Sequence, residues 1–206
     1  MSGNFKLLIF DWDGTLVDSE GQIVATLQYA ITHAGLPPLP EDHLRDIIGL
    51  SLHTAVARLV PDAPAALHQQ IADHYRHKFL ADTHPPFFPG MEKTLQQLVD
   101  AGYQLAVATG KGRRGLTRGM AHLQVTHLFH ATRCADETAS KPDPQMLHEI
   151  LAELEVSPQQ ALMIGDTEYD MAMAQAAGMA RLAVCYGVDT PERLWRYGPL
   201  ACLADL

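Results

Sequence analysis

Four short apolar runs punctuate the chain, and each stops at a polar or glycine residue. Leu7-Leu8-Ile9-Phe10 ends at Asp11, Leu105-Ala106-Val107-Ala108 at Thr109, Leu162-Met163-Ile164 at Gly165-Asp166, and Leu182-Ala183-Val184-Cys185 just before Gly187. Runs that are continuous rather than alternating predict strands buried on both faces, as in a parallel sheet covered by helices. Between them the period changes to that of a helix: Met91, Leu95, Leu98 and Val99, then Met146, Leu147, Ile150, Leu151 and Leu154. Alternation of the two patterns from about residue 90 onward predicts a doubly wound α/β core. Ligands of such sheets bind outside the carboxyl ends of the strands. Three of the four runs end there in Asp or Thr.

Residues 17–84 carry no strand pattern. Ile23, Leu27, Ala30, Ile31 and Ala34 form a helical stripe that stops at Gly35, and Pro37-Pro38-Leu39-Pro40 breaks the chain. Further helices are predicted over 41–48, 52–60 and 64–81, before a second joint at Pro85-Pro86 and Pro89-Gly90. A crossover between parallel strands needs one helix, and this block has room for four. It is therefore expected to be a separate helical lid, with core residues 1–16 and 86–206 and an inserted domain over 17–85.

Composition narrows the function. The 206 residues are 47% hydrophobic and 19% charged, a globular composition long enough to bury a core. A net charge of −9, from 24 acids against 15 bases, disfavours a nucleic-acid footprint, which needs clustered Lys and Arg. A small anionic substrate stays admissible, because a metal ion inverts the local sign. The apolar run before Asp11 is only four residues long, too short for a signal segment. No run approaches the roughly 18 apolar residues of a membrane span. The expectation is a cytoplasmic protein without nucleic-acid or membrane partners. Cys134, Cys185 and Cys202 are odd in number and widely spaced, and are expected to be reduced thiols.

The polar residues at the run ends carry the chemistry. Asp11-Trp12-Asp13-Gly14-Thr15 puts two carboxylates at i and i+2 beside a buried strand. That is either an Asp-Gly turn used for geometry or a charge pair compensated by a cation. Gly165-Asp166-Thr167-Glu168-Tyr169-Asp170 opens a helix, where Asp170 suits either capping or a site role, while Asp166 sits on the strand end. Oxygen ligands from Asp11, Asp13 and Asp166 suit a hard cation such as Mg²⁺. In Thr109-Gly110-Lys111, a hydroxyl and free backbone N–H groups suit phosphate oxygens. Lys141, in Ser140-Lys141-Pro142-Asp143-Pro144, is either a solvated surface lysine or a point charge for a phosphoryl group.

The order of these elements resembles that of the haloacid dehalogenase superfamily of phosphohydrolases, over essentially the whole chain. Its first motif, D-x-D-G-T-L-x-D-S, stands as Asp11 through Ser19. Thr109 matches the second motif, Lys141 the third, and Gly165, Asp166 and Asp170 the G-D-x-x-x-D of the fourth. The helical block is similar to the family's C1 cap, and the pattern to its phosphoglycolate phosphatase and β-phosphoglucomutase branch. One departure is Gly110, where many relatives carry Asn.

The resemblance implies a Rossmann-like core and a Mg²⁺-dependent phosphatase acting on a small phosphorylated metabolite. Asp11 would be the nucleophile and Asp13 the acid and base. Mg²⁺ would be held by Asp11, the Asp13 backbone carbonyl and Asp166. Thr109, Gly110 and Lys141 would bind phosphate, and Asp170 would orient the metal shell or Lys141. A phosphonatase needs a cap lysine, and the cap offers only Lys78, late in its last helix. A phosphoglucomutase-type transferase, a pyrophosphatase and a catalytically silent binding module are the alternatives.

Arg45 and His53 are the cap candidates for substrate contact, and phosphoglycolate is the expected substrate because the cap is small and shows no sugar clamp. His74 and His77 share a helix face without a third ligand, and Arg113, Arg114 and Arg118 form a basic face. A monomer or weak homodimer is expected.

Overall fold

A computed structural model describes residues 5–82 and 84–206. The first four residues, part of the N-terminal segment considered above as a leader, lie outside the described residues. Six strands form one parallel sheet: β1 (Leu7–Phe10), β2 (Gln104–Thr109), β3 (Ala131–Cys134), β4 (Ala161–Gly165), β5 (Ala180–Val184) and β6 (Cys202–Leu203). Their order across the sheet is β3-β2-β1-β4-β5-β6. The chain therefore winds outward in one direction through β2 and β3 and in the other through β5 and β6. The reversal lies between β1 and β4, where open α/β sheets form their ligand crevice. Phe10 stands level with Val107 on one side and Ile164 on the other, so the residues that follow all three strands emerge at one edge.

Both faces of the sheet are buried, as continuous apolar runs require. Leu8 and Phe10 of β1 pack on one face with helices α5 (Met91–Asp100) and α6 (Arg113–His122), through Met91, Leu95, Leu116 and Met120. Leu7 and Ile9, pointing the other way by the two-residue period of a strand, pack with α7 (Gln145–Glu153) and α8 (Glu168–Ala176), through Met146, Ile150 and Met173. A short α9 (Pro191–Trp195) covers β5 and β6 through Leu194.

Two strands escape the apolar-run criterion because they are edges. In β3, Thr132 and Arg133 are half-buried, and Arg133 pairs outward with Glu149 and Glu153. β6 has two residues. Pairing of β5 with β6 brings Cys185 and Cys202 together, with Cα atoms 5.9 Å apart, while Cys134 is buried elsewhere in the sheet.

Between β1 and β2 lie α1 (Glu20–His33), α2 (Glu41–Arg45), α3 (Leu52–Leu59) and α4 (Ala65–Ala81). Helix α2 is shorter than the predicted 41–48, and the chain turns through Gly49 at φ 99°. Ile23, Leu27, Ile31, Leu44, Ile71 and Phe79 form a hydrophobic cluster separate from the two sheet faces. The two connections to the sheet pair with each other: Asp18 N–H donates to Pro86 C=O and Phe88 N–H to Leu16 C=O, each at 3.0 Å. Two core side chains reach the helical cluster, Val188 at its edge and Tyr169 within it. Tyr169 of α8 is 8% exposed there, its hydroxyl donating to Asp46 C=O at 2.7 Å and accepting from Arg58 at 2.7 Å.

Candidate active site

The tip of β1 delivers Asp11, held in line by its N–H donating to Ile164 C=O of β4. The chain then reverses at Gly14, whose φ of 85° is readily available to glycine alone. A side chain there would also run into the Asp166 carboxylate. This turn lets Thr15 donate to Asp166 Oδ1 at 2.6 Å, while Val188 N–H donates to Oδ2 at 2.9 Å.

One residue after Asp166, Thr167 forms a reciprocal capping box with Asp170 at the start of α8. The Asp170 Oδ2 accepts from the Thr167 hydroxyl at 2.7 Å, and Oδ1 accepts from Lys141 Nζ at 2.6 Å. Asp170 is thus both helix cap and ion-pair partner, the two readings its sequence position allowed.

Lys141 is no surface lysine. It is 1% exposed, and its Nζ lies 2.8 Å from Asp11 Oδ1 and 2.6 Å from Asp170. Burial alone would lower its pKa, but the two carboxylates outweigh that and raise it. Asp11, Asp166 and Asp170 are all buried, with carboxylate oxygens within 4.8 Å of one another. Burial pushes Asp11 up to about 7; Lys141 opposes the rise, and Asp170 and Asp13 add to it. Asp166 is raised as well, first by burial and then by Asp11 and Asp170.

Three buried acids thus face one ammonium, and Asp11 Oδ2 has no hydrogen-bond donor. Such a cluster is costly without a cation, and an oxygen-only donor set fits a hard divalent ion such as Mg²⁺. The Asp13 carboxylate is not in this cluster, where the third carboxylate is that of Asp170.

Asp13 instead faces the tip of β2. Its Oδ1 accepts from Ser19 at 2.8 Å, and its two oxygens take Lys111 Nζ at 2.9 and 2.8 Å. The ammonium of Lys111 lies 4.3 Å from the ring centroid of Phe79 in α4. Thr109 is buried, and its hydroxyl accepts from Lys111 N–H at 3.1 Å. At Gly110 a Cβ would sit 2.6 Å from Leu50 C=O, so the helical block presses its 49–51 turn onto this loop. The same turn donates Ser51 N–H to Ser140 Oγ at 2.8 Å.

Asp11, Asp13, Thr109, Gly110 and Lys111 floor a cavity of 420 Å³ between sheet and helical block. Of the two cap candidates, His53 lines it and Arg45 does not: Arg45 is tied to Glu20 at 2.6 Å and Glu41 at 2.9 Å. Arg114 alone of the three basic residues in α6 lines the cavity; Arg113 pairs with Glu137, and Arg118 bonds Leu80 C=O. His77 also lines it, whereas His74 lies against His33, and among the described residues no histidine joins a metal-ligand cluster.

Two contributors went unread in the sequence. Lys111 was counted only as part of its loop, although an Asp facing a Lys across strand tips was a legible pairing. Ser19 closes the first motif, and its serine type was the available signal.

Comparison with known proteins agrees with this geometry. The profile of the haloacid dehalogenase-like hydrolases matches residues 8–184. A phosphoglycolate phosphatase of Agrobacterium fabrum is 31% identical over 195 residues, 90% of this chain and 83% of the relative. An N-acetylmuramic acid 6-phosphate phosphatase of Pseudomonas aeruginosa is 32% identical over 193 residues, 91% and 84% of the two chains. A solved haloacid dehalogenase-like family hydrolase of Streptococcus pneumoniae superposes with a TM-score of 0.85 at 24% identity, covering 98% of this chain and 95% of that one. Among the described residues no helix is long and apolar enough to cross a membrane. The chain belongs to the haloacid dehalogenase-like hydrolases and is an enzyme of their phosphatase branch.

Proposed function

We propose that this enzyme is a Mg²⁺-dependent phosphomonoester hydrolase that works through an aspartyl-phosphate intermediate on a small phosphorylated metabolite in the cytoplasm. Phosphoglycolate, the substrate in the name of the Agrobacterium relative, is the reference ester. The observation that carries the reading is the Asp11 carboxylate, buried at the floor of a cavity with Oδ1 on Lys141, Oδ2 without a hydrogen-bond donor, and two further acids beside it.

Asp11 is the nucleophile. Lys141 contacts its Oδ1, which leaves Oδ2 to attack phosphorus as the ester P–O bond breaks. Asp13 supplies the proton to the departing oxygen and then takes one from the water that hydrolyses the acyl phosphate, restoring Asp11. Ser19 and Lys111 fix the orientation of Asp13 in the resting enzyme. Lys141 and the Thr109–Lys111 loop stabilise the equatorial phosphoryl oxygens, the electrostatic share of such catalysis. Asp170 positions Lys141. Asp11, Asp166 and Asp170, with the Asp13 backbone carbonyl, would hold Mg²⁺, which neutralises the acids and the phosphoryl group when bound. The helices of 17–85 act as a cap that excludes water, hinged at the paired connections 16–18 and 86–88.

Asp11→Asn is the direct test. It should abolish phosphate release while leaving the circular dichroism spectrum unchanged. Normal phosphate release by this variant removes Asp11 as nucleophile.

A further inference from the structure

Among the described residues, one ion pair joins the helical block to the sheet domain. Asp46, just past the end of α2, meets Arg193 of α9, with Oδ1 and Nη1 2.6 Å apart. Within its own domain the Asp46 carboxylate has no hydrogen-bond partner among the described residues. The guanidinium also holds two acids of the sheet domain. Its Nη1 lies 3.0 Å from Asp189 Oδ1, and its Nη2 donates to Glu168 Oε1. Asp189 is only 6% exposed, and its other oxygen accepts from Glu168 N–H at 2.6 Å.

These partners lead to the buried carboxylate cluster. Asp189 N–H donates to Asp166 C=O at 3.2 Å, and Val188 N–H donates to Asp166 Oδ2 at 2.9 Å. At Gly187 a Cβ would lie 2.4 Å from that same oxygen. The 187–189 loop is thus a wall that fixes the direction of the Asp166 carboxylate. Arg193 ties that wall to the helical block.

We infer that Arg193 is a positioning residue that couples seating of the cap to the order of the Asp166 carboxylate. This rests on the reading above of Asp166 as a Mg²⁺ ligand and of residues 17–85 as a moving cap. Arg193 contacts none of the reacting groups and acts through Asp189. With Asp46 in place, three carboxylates surround one planar guanidinium, and a rigid fork held at several points has little freedom left. Asp189 is then fixed at both oxygens, and the N–H groups of residues 188 and 189 stay on Asp166. When the cap lifts, Asp46 leaves and the loop loosens. The coupling is reciprocal, so an ion that orders Asp166 also favours the seated cap.

Asp46→Asn is the probing variant, because the side chain is 59% exposed and the bond from Tyr169 goes to the backbone C=O, which the substitution keeps. In EDTA, amide exchange at Val188 and Asp189 should quicken by about two- to fivefold, the reach of a partly exposed ion pair. Mg²⁺ affinity by calorimetry should weaken by a similar factor, and Asp46→Glu should keep both near the native values. Arg193→Met should do at least as much as Asp46→Asn, and combining the two should add nothing, since they share one contact.

Unchanged exchange at residues 188 and 189, or unchanged Mg²⁺ affinity, in Asp46→Asn overturns the coupling. Full additivity of the two variants overturns it as well. Quickened exchange in a protein that releases phosphate from no ester supports the coupling and removes the phosphatase reading instead.

Discussion

Replacing Lys141 by methionine removes the single cation from the buried carboxylate cluster while keeping a side chain of similar length. In the native structure Nζ bridges Asp11 at 2.8 Å and Asp170 at 2.6 Å, with Lys141 only 1% exposed. Without it, Asp11, Asp166 and Asp170 face one another within 4.8 Å with no internal counter-charge. Breaking a buried ion pair from one side costs about 3–5 kcal/mol, because the orphaned charge stays desolvated. With a urea m-value of about 2–3 kcal/mol/M, the midpoint should fall by about 1–2 M.

The assay is urea unfolding in EDTA at pH 8. Tryptophan fluorescence reports it, with the change on unfolding coming mainly from Trp12, 1% exposed and at the start of the turn after Asp11, while Trp195 is already 52% exposed. Adding Asp170→Asn removes one of the two stranded partners and should recover part of the loss, a coupling that a mere packing defect would not show. A loss below about 1 kcal/mol, or a double variant as unstable as the sum of the two single ones, refutes the view that Lys141 neutralises this cluster.

Two further outcomes follow from the same site. Asp11 is raised from 3.8 to about 7, so between those values the folded apo protein holds a proton that the unfolded chain has lost. Stability from this group is fully present below the unfolded value and is lost as pH rises through 7, a fall of about 4 kcal/mol. Urea titrations in EDTA should give lower stability at pH 8 than at pH 5, with Mg²⁺ reducing the difference; stability that rises across this window contradicts the burial of the Asp11 carboxylate as the dominant influence on its titration. Gly110→Asn forces a Cβ to within 2.6 Å of a backbone oxygen that cannot rotate away, so the 49–51 turn must lift. The expected signs are a stability loss of about 1–3 kcal/mol and faster amide exchange at Ser51, whose N–H donates to Ser140; unchanged exchange there means that the loop yields instead.

The central strands were legible because burial on both faces leaves no room for polar residues, as in the runs at Leu7–Phe10 and Leu162–Ile164. The same logic hid β3 and β6. At a sheet edge, Arg133 reaches its glutamates beside the sheet, and no apolar run marks the strand. Fusion of the strand tips into one site was readable from where the runs stop, since parallel strands send all their carboxyl ends to one side.

Side-chain direction was not readable. Asp13 and Asp170 each sit a few residues past a strand end. Only the path of the Gly14 turn, and the closing of the capping box by Thr167, decides that Asp170 joins the carboxylate cluster and Asp13 turns to Lys111. The approach of Cys185 to Cys202 depended on the pairing of β5 with β6, which no spacing rule encodes.

Tyr169 has a consequence for anyone recombining these enzymes. By position it belongs to the segment that carries Asp166 and Asp170, yet its ring is a building block of the helical cluster and its hydroxyl is held by Asp46 and Arg58. A chimera that exchanges residues 17–85 at the paired connections 16–18 and 86–88 would import a foreign socket for a native plug. Grafts intended to change selectivity should therefore carry residue 169 from the donor as well, although it lies more than 80 residues beyond the nominal junction.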